Sequence, residues 1–330
     1  MSGAVPKLSV GFAPGRHTVD LANLAIDLGC ERVYLYDSAA VYEDIFIWLA
    51  RLAELTDAQL GAAVLVPNLR HVMTVASAIA TLEDLAPGRF VYGLGTGESA
   101  RTVLNKKRLS LATTRRYFEQ LRGLLRGDVV ESDGERCQMI HWPGLAPARP
   151  VDVPLLWSAF GPKSLAIAQE VADGVMTVSD EPAGLDWNVR MINGTILDPG
   201  DNLTTPRVQA AIGPWLVLPY HSLAQWKPDA LERLPLGAEW MAQSTAARPR
   251  DELHLALHEG HATHVNARDE MLLEVAPDIP LRGAFWIDTP DALRARAEYA
   301  AGNGVTELLY APVGPNAADE LRRMAALLAD

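Results

Sequence analysis

The chain alternates between two periodicities, and this constrains its fold more than any other feature: short apolar runs of strand length are each followed by a stretch with apolar residues at helical spacing. Residues 8–13 form an apolar run that stops at Pro14 and Gly15. Residues 18–28 then take up helical spacing, with Thr18 as N-cap and Gly29 just past the last turn, where each satisfies otherwise orphaned backbone groups. Residues 32–37 (RVYLYD), 59–66 (QLGAAVLV) and 89–97 (RFVYGLGTG) read as the next strands, and 41–55, 71–85 and 113–125 as the helices after them. Strands followed regularly by helices are the pattern of parallel βα units. A small hairpin is expected over 129–139, turned by Asp133-Gly134, a dipeptide suited to a tight reversal. Residues 153–160 and 174–178 supply a fifth and a sixth core strand, 208–218 a seventh and 307–313 an eighth, closed by a helix over 317–328.

Residues 219–303 lie between the last two of these strands and carry Trp226, Trp240 and several histidines. A structureless connection of that length is out of place in a compact domain, so a mostly helical excursion over one barrel face is expected. The architecture read from the sequence is α/β: a (β/α)8 TIM barrel forming a single domain over residues 1–330, with 219–303 as an insertion and lid.

Composition narrows the function. The chain has 330 residues, and 29 Lys and Arg against 41 Asp and Glu leave a net charge of −12. Nucleic acid is an unsuitable partner for that balance, because phosphate backbones need clustered cations. The cysteines, Cys30 and Cys137, form no CxxC pair, which excludes a disulfide framework. No apolar stretch is long enough for a membrane span, and residues 1–9 lack an apolar signal core. A soluble, cytoplasmic protein is expected.

Chemistry in such a barrel sits at the carboxyl ends of the strands, and those ends are polar or small here: Asp37-Ser38, Val66-Pro67-Asn68, Thr96-Gly97-Glu98, residues 158–162 and Thr177. The run at 93–98 (GLGTGE) fails the dinucleotide spacing, since Glu98 stands where the third glycine of GxGxxG belongs. Gly95 and Gly97 would instead let a bulky ligand approach the backbone, with Glu98 projecting into the site; the plain alternative is a strand end that packs tightly. Phe160-Gly161-Pro162-Lys163 ends a strand and opens a helix, whose first-turn N–H groups suit an anion such as a cofactor phosphate; an ordinary corner is the alternative. His258-Glu259-Gly260-His261 is one residue short of HExxH, and Gly260 interrupts any helix carrying His254, His258, His261 and His264. No metal site is expected, and His258, His261 and Trp226 are read as lining a substrate pocket. The remaining tryptophans are read as core.

Taken in order, these strand ends resemble the bacterial luciferase-like superfamily, and within it the branch that uses coenzyme F420, a deazaflavin. The stretches that carry the likeness are YDS at 36–38, LGAAVLVPN at 60–68, RHVMTVASAIATLEDLAPGR at 70–89, GLGTGE at 93–98 and VPLLWSAFGPKSLAIAQEVADG at 153–174. They are similar to methylenetetrahydromethanopterin reductases and to F420-dependent glucose-6-phosphate and alcohol dehydrogenases. The resemblance implies that Asp37 contacts the deazaflavin and that Ala63-Val64 is a non-prolyl cis peptide bulging against its ring. It further implies that Thr96, Gly97 and Glu98 flank the ring, and that Ala159, Phe160, Gly161 and Pro162 cradle the phosphate, with Ser158 and Thr177 at neighbouring strand ends. Glu98 matches a carboxylate with an acid role in the dehydrogenases.

One departure bears on mechanism. The dehydrogenases carry a histidine base directly after the aspartate, and this chain has Ser38. Serine has no useful basicity near neutral pH, which moves weight from alcohol oxidation to reduction of an electron-poor C=C or C=N bond. Glu98 and Ser38 are the candidate catalytic residues. The substrate is expected to be small or peptide-derived, and a homodimer is implied through the helices after the second and third strands. An FMN-dependent monooxygenase, and a protein that binds flavin or deazaflavin without turnover, are the competing readings.

Overall fold

The computed structural model describes residues 4–276 and 285–329. Eight parallel strands close into a barrel: β1 Lys7–Phe12, β2 Val33–Leu35, β3 Leu60–Leu65, β4 Phe90–Leu94, β5 Leu155–Ala159, β6 Gly174–Thr177, β7 Asn188–Ile192 and β8 Glu307–Tyr310. Each pairs with its sequence neighbours, and β1 pairs with β8 to close the ring. The helices outside it are α1 Thr18–Asp27, α2 Ile45–Leu55, α3 Val72–Leu85, α4 Leu111–Arg126 and α5 Pro162–Val171. Helices α6 Pro206–Leu216, α7 Leu218–Trp226 and α8 Gly237–Ala247 belong to the excursion, and α9 Pro290–Gly302 and α10 Ala317–Ala329 complete the outer layer. The hairpin is present as Val130–Ser132 against Glu135–Cys137, turned at Asp133 and Gly134, both with positive φ. Thr18 begins α1 rather than capping it: its hydroxyl accepts from the Gly15 N–H, and His17 holds the cap position.

Tyr34, Val91, Leu156, Met176, Val189 and Leu309 fill the barrel interior. Small residues make room for large ones there: a Cβ on Gly61 would lie 2.5 Å from the Tyr34 ring. At the amino-terminal end Glu307 closes the interior, accepting from Ser9 Oγ at 2.5 Å and Trp187 Nε1 at 3.1 Å. A barrel so filled is a core and not a channel, which leaves the carboxyl-end mouth for chemistry.

The structure corrects the seventh strand. Residues 208–218, expected as a strand, lie largely in α6: Val208, Ala211, Ile212 and Leu216 are buried at helical spacing, and Pro206 sits in the first turn, where its missing N–H costs nothing. The real β7, NVRMI, was hidden because its outward residues Asn188 and Arg190 break the apolar alternation. Both are buried, Arg190 through a salt bridge to Asp180 at 2.7 Å. No helix follows β6, so one of the eight expected helices is missing. The insertion also begins earlier than residue 219. It runs from a strand at Gly194–Ile196, which pairs in parallel with Trp286–Asp288, through α6 to α8 and the short helices Leu253–Leu257 and Glu270–Glu274. Residues 277–284 of the expected excursion lie outside the described residues. The excursion carries its own small core of Val217, Tyr220, Leu231, Trp240, Leu257 and Leu272.

Leu156 is wholly buried inside the barrel, so truncating it leaves a cavity that neighbouring strands cannot collapse to fill. The Leu156→Ala variant is expected to lose about 2–5 kcal/mol of stability, read from the shift in urea midpoint.

Candidate functional site

At the end of β2 the chain places Asp37 and Ser38, both buried. Asp37 is gripped by Arg70, whose Nη1 lies 2.9 Å from both carboxylate oxygens; Arg70 Nη2 reaches Asp44 Oδ2 at 2.7 Å. The Val66 N–H approaches the same Asp37 carboxylate at 3.4 Å, and Asp44 caps α2 through the N–H groups of Phe46 and Ile47. One ion triad therefore ties together the end of β2, the turn after β3 and the starts of α2 and α3. Burial pushes Asp37 above the usual carboxylate range, against the pull of Arg70. Partial burial acts in the same direction on Asp44, but Arg70 and the capping N–H groups hold it below that range. Only 2% of the Asp37 side chain is exposed, so the carboxylate expected to face a cofactor is instead enclosed as a structural post. Ser38 is different: its Oγ is buried with no partner among the described residues, while its carbonyl accepts from the N–H groups of Val41 and Tyr42.

The neighbouring wall is built of small side chains. The Ala63–Val64 peptide is cis, at a register shift between β3 and β4. Within β3 these two residues are half-buried where the rest of the strand is buried. Facing them is Gly95, at which a Cβ would lie 2.8 Å from Val64 Cγ2 and 3.3 Å from Ser158 Cβ. Val64, Gly95 and Ser158, drawn from three strands, thus meet on one surface. Thr96 is half-buried beside it; Gly97, at φ 78°, then turns the chain into the short helix Glu98–Thr102 in a conformation that disfavours a side chain. Glu98 is 49% exposed, with Arg108 Nη1 at 3.6 Å.

On β5, Ala159 is buried and Phe160 is 61% exposed. Gly161, Pro162 and Lys163 follow on the open surface, with Pro162 in the first turn of α5. The N–H groups of Ser164 and Leu165 fold back onto the Gly161 carbonyl at 3.0 Å, and Ser164 Oγ accepts from Trp157 Nε1 at 2.9 Å. This fixes the turn and leaves the N–H groups of Gly161 and Lys163 at the open end of the helix. Thr177 is buried, and its hydroxyl donates to the Ser179 carbonyl at 3.2 Å, so its polar atom serves its own turn.

The excursion reaches the mouth at several points. Tyr42 donates from its hydroxyl to the His261 carbonyl at 3.3 Å, and Gln225 donates its amide to the Thr102 carbonyl and to Asn105 Oδ1, each at 3.0 Å. Trp226, expected in the substrate pocket, is half-buried with the Lys107 ammonium 6.0 Å from its ring centroid. His258 and His261, expected beside it, are buried together with His221, their Nδ1 atoms 3.1 Å apart. Burial, helped by the neighbouring imidazoles, holds His258 down to about 2 and His261 to about 3. Among the described residues His254 and His264 stand outside this group. Sequence reasoning missed Arg70, Gln225 and the joining of His221 to the pair, because each partnership spans residues far apart in the chain.

Removing Arg70 leaves Asp37 buried and unpaired. Arg70→Met is expected to cost about 3–5 kcal/mol in urea unfolding, and adding Asp37→Asn is expected to restore much of that loss.

Comparison with known proteins agrees with this geometry. The chain is 34% identical over 192 residues to a 5,10-methylenetetrahydromethanopterin reductase of Methanolobus tindarius, covering 56% of this chain and 57% of that one. It is 31% identical over 193 residues to an F420-dependent glucose-6-phosphate dehydrogenase of Kineococcus radiotolerans, covering 53% and 55%. The chain thus spans little more than half the length of these curated relatives. Among solved structures, a coenzyme F420-dependent tetrahydromethanopterin reductase of Methanopyrus kandleri superposes with a TM-score of 0.64 at 20% identity, over 99% of both chains. The monooxygenase RslO1 of Streptomyces bottropensis superposes with a TM-score of 0.60 at 18% identity, over 98% of both. At these identities the likeness is one of fold. Residues 4–307 match the model of the luciferase-like monooxygenase family, and the chain belongs to that family.

Proposed function

We propose that the chain is an F420-dependent oxidoreductase working as a reductase on an electron-poor C=C or C=N bond of a small or peptide-derived molecule. The observation that carries this reading is the low wall at the mouth, where the half-buried Ala63–Val64 bulge and Ser158 pack over buried Gly95 and present only small side chains to a flat ring. The relatives named above include F420-dependent enzymes, which favours the deazaflavin over FMN. Reduced F420 supplies a hydride to an electron-poor carbon.

The chain's residues fit such a ligand in three places. The bulge at Ala63-Val64 and the backbone of Thr96 and Gly97 would support a ring. The exposed turn of Phe160, Gly161 and Pro162, with N–H groups at the open helix end and the Lys163 ammonium, would hold a phosphate. The unpartnered Ser38 hydroxyl would donate to a polar atom of cofactor or substrate, since a buried hydroxyl left unpaired costs about 1–3 kcal/mol. Ser38 cannot act as a base, which favours reduction over alcohol oxidation. Glu98, in contact with solvent at the ring-side strand end, is placed to pass a proton to the reduced product. Half-buried Trp226, on the excursion segment over the mouth, would meet the substrate. A homodimer would pack through α2 and α3, where Ile47 is 70% exposed.

An FMN monooxygenase reading rests on the shared barrel and on neighbours such as RslO1. Two variants test the reductase. Ser158→Phe puts a ring on the half-buried wall, so F420 binding is expected to be lost while the circular dichroism spectrum is kept; unchanged binding would place the ring elsewhere. Glu98→Gln is expected to keep F420 affinity and to lower turnover of reduced F420 by about 10²–10⁴-fold. Wild-type turnover in that variant would remove Glu98 from the proton path.

A further inference from the structure

The site above makes no use of the three imidazoles buried together in the excursion. His221 lies on α7, while His258 and His261 lie in the turn after the helix Leu253–Leu257; they are 1%, 6% and 3% exposed. Each offers a ring nitrogen within 4.8 Å of the others.

Their partners fix which nitrogens carry protons. Gln225 spends its NH2 on the Thr102 carbonyl and Asn105 Oδ1, so its Oε1 must face His258 Nε2 at 2.8 Å as an acceptor. His258 Nε2 therefore carries the proton, and its Nδ1 is a lone pair. Asp269 Oδ1, an acceptor only, lies 3.3 Å from His221 Nε2, which assigns the proton there and leaves His221 Nδ1 as a lone pair with no partner. His261 Nε2 is likewise buried and unpartnered. The 3.1 Å between the Nδ1 atoms of His258 and His261 is close to the edge of about 3.3–3.4 Å that Zn–N bonds of 2.0–2.1 Å give in a tetrahedron.

The surroundings point the same way. Asp269 is 1% exposed and, among the described residues, has no Lys or Arg within salt-bridge distance. It is held by Trp240 Nε1 at 2.9 Å and Asn266 Nδ2 at 2.8 Å. A carboxylate that accepts from the far nitrogen of an imidazole is the usual outer support of a metal-bound histidine. Such a buried negative charge needs a positive one nearby.

We propose that His221, His258 and His261 bind a divalent transition ion of the zinc class, with Asp269 and Gln225 orienting the first two rings. Three histidines leave a tetrahedral ion one further position, for water or another oxygen ligand. Gln225 bonds the loop after β4, and Tyr42 bonds the His261 carbonyl from the loop after β2, so the ion would clamp the excursion over the mouth.

The test uses untagged, chelator-stripped full-length protein titrated with Co(II), followed by visible d–d absorption and competed with zinc. One ion per chain is expected, with bands bleached by zinc, lost in His261→Ala and kept in His254→Ala and His264→Ala. Asp269→Asn is expected to weaken Co(II) binding about 10–100-fold. Stripped wild-type protein that is folded by circular dichroism yet gives no d–d bands would overturn the proposal. Bands retained in His261→Ala would overturn it as well. The wild-type titration decides the matter even if a variant fails to fold.

Discussion

A carboxylate with 2% of its side chain exposed must be paired, and the pairing of Asp37 with Arg70 organises the mouth of this barrel. The guanidinium bonds both Asp37 oxygens and reaches on to Asp44, which itself caps α2. A planar guanidinium that engages two carboxylates through two different nitrogens fixes orientation as well as distance. The turns after β2 and β3 are thereby locked to one another, and the Ser38 hydroxyl and the Ala63–Val64 bulge sit on either side of that lock. The network spends the charge of Asp37 on architecture.

The filled interior and the excursion set the remaining limits. Side chains from six strands occupy the barrel interior and Glu307 closes its far end, so the barrel is open at the carboxyl ends of its strands. Over that space the excursion is held by hydrogen bonds from Tyr42 and Gln225, and it is packed on a small core of its own. The same segment is also tied to the outer layer of the barrel, through Arg207 to Glu320 at 2.9 Å and Trp215 Nε1 to the Ala311 carbonyl at 3.2 Å.

Much of this was legible in the sequence, for physical reasons that differ by region. Barrel strands β1 to β6 could be read because buried parallel strands are continuous apolar runs bounded by turns. The turn at Gly97 and the start of a helix at Pro162 were also readable, since both follow from local backbone chemistry. The seventh strand was not, because outward Asn188 and Arg190 interrupt its apolar run while α6 offers an unbroken one. Asp37 was placed correctly at a strand end, yet its enclosure by Arg70 depends on a contact 33 residues away. His258 and His261 were noticed as a pair, but local spacing could not show that His221, on a different helix, completes the group.

The proposed ligand of the low wall at the mouth is a deazaflavin in preference to a flavin. Titrating the purified, cofactor-free protein with F420 and separately with FMN, followed by tryptophan fluorescence, tests it most directly. The account predicts F420 binding at about micromolar Kd or tighter with much weaker FMN binding. Tight FMN binding with weak F420 binding would contradict it and move the chemistry to oxygen activation.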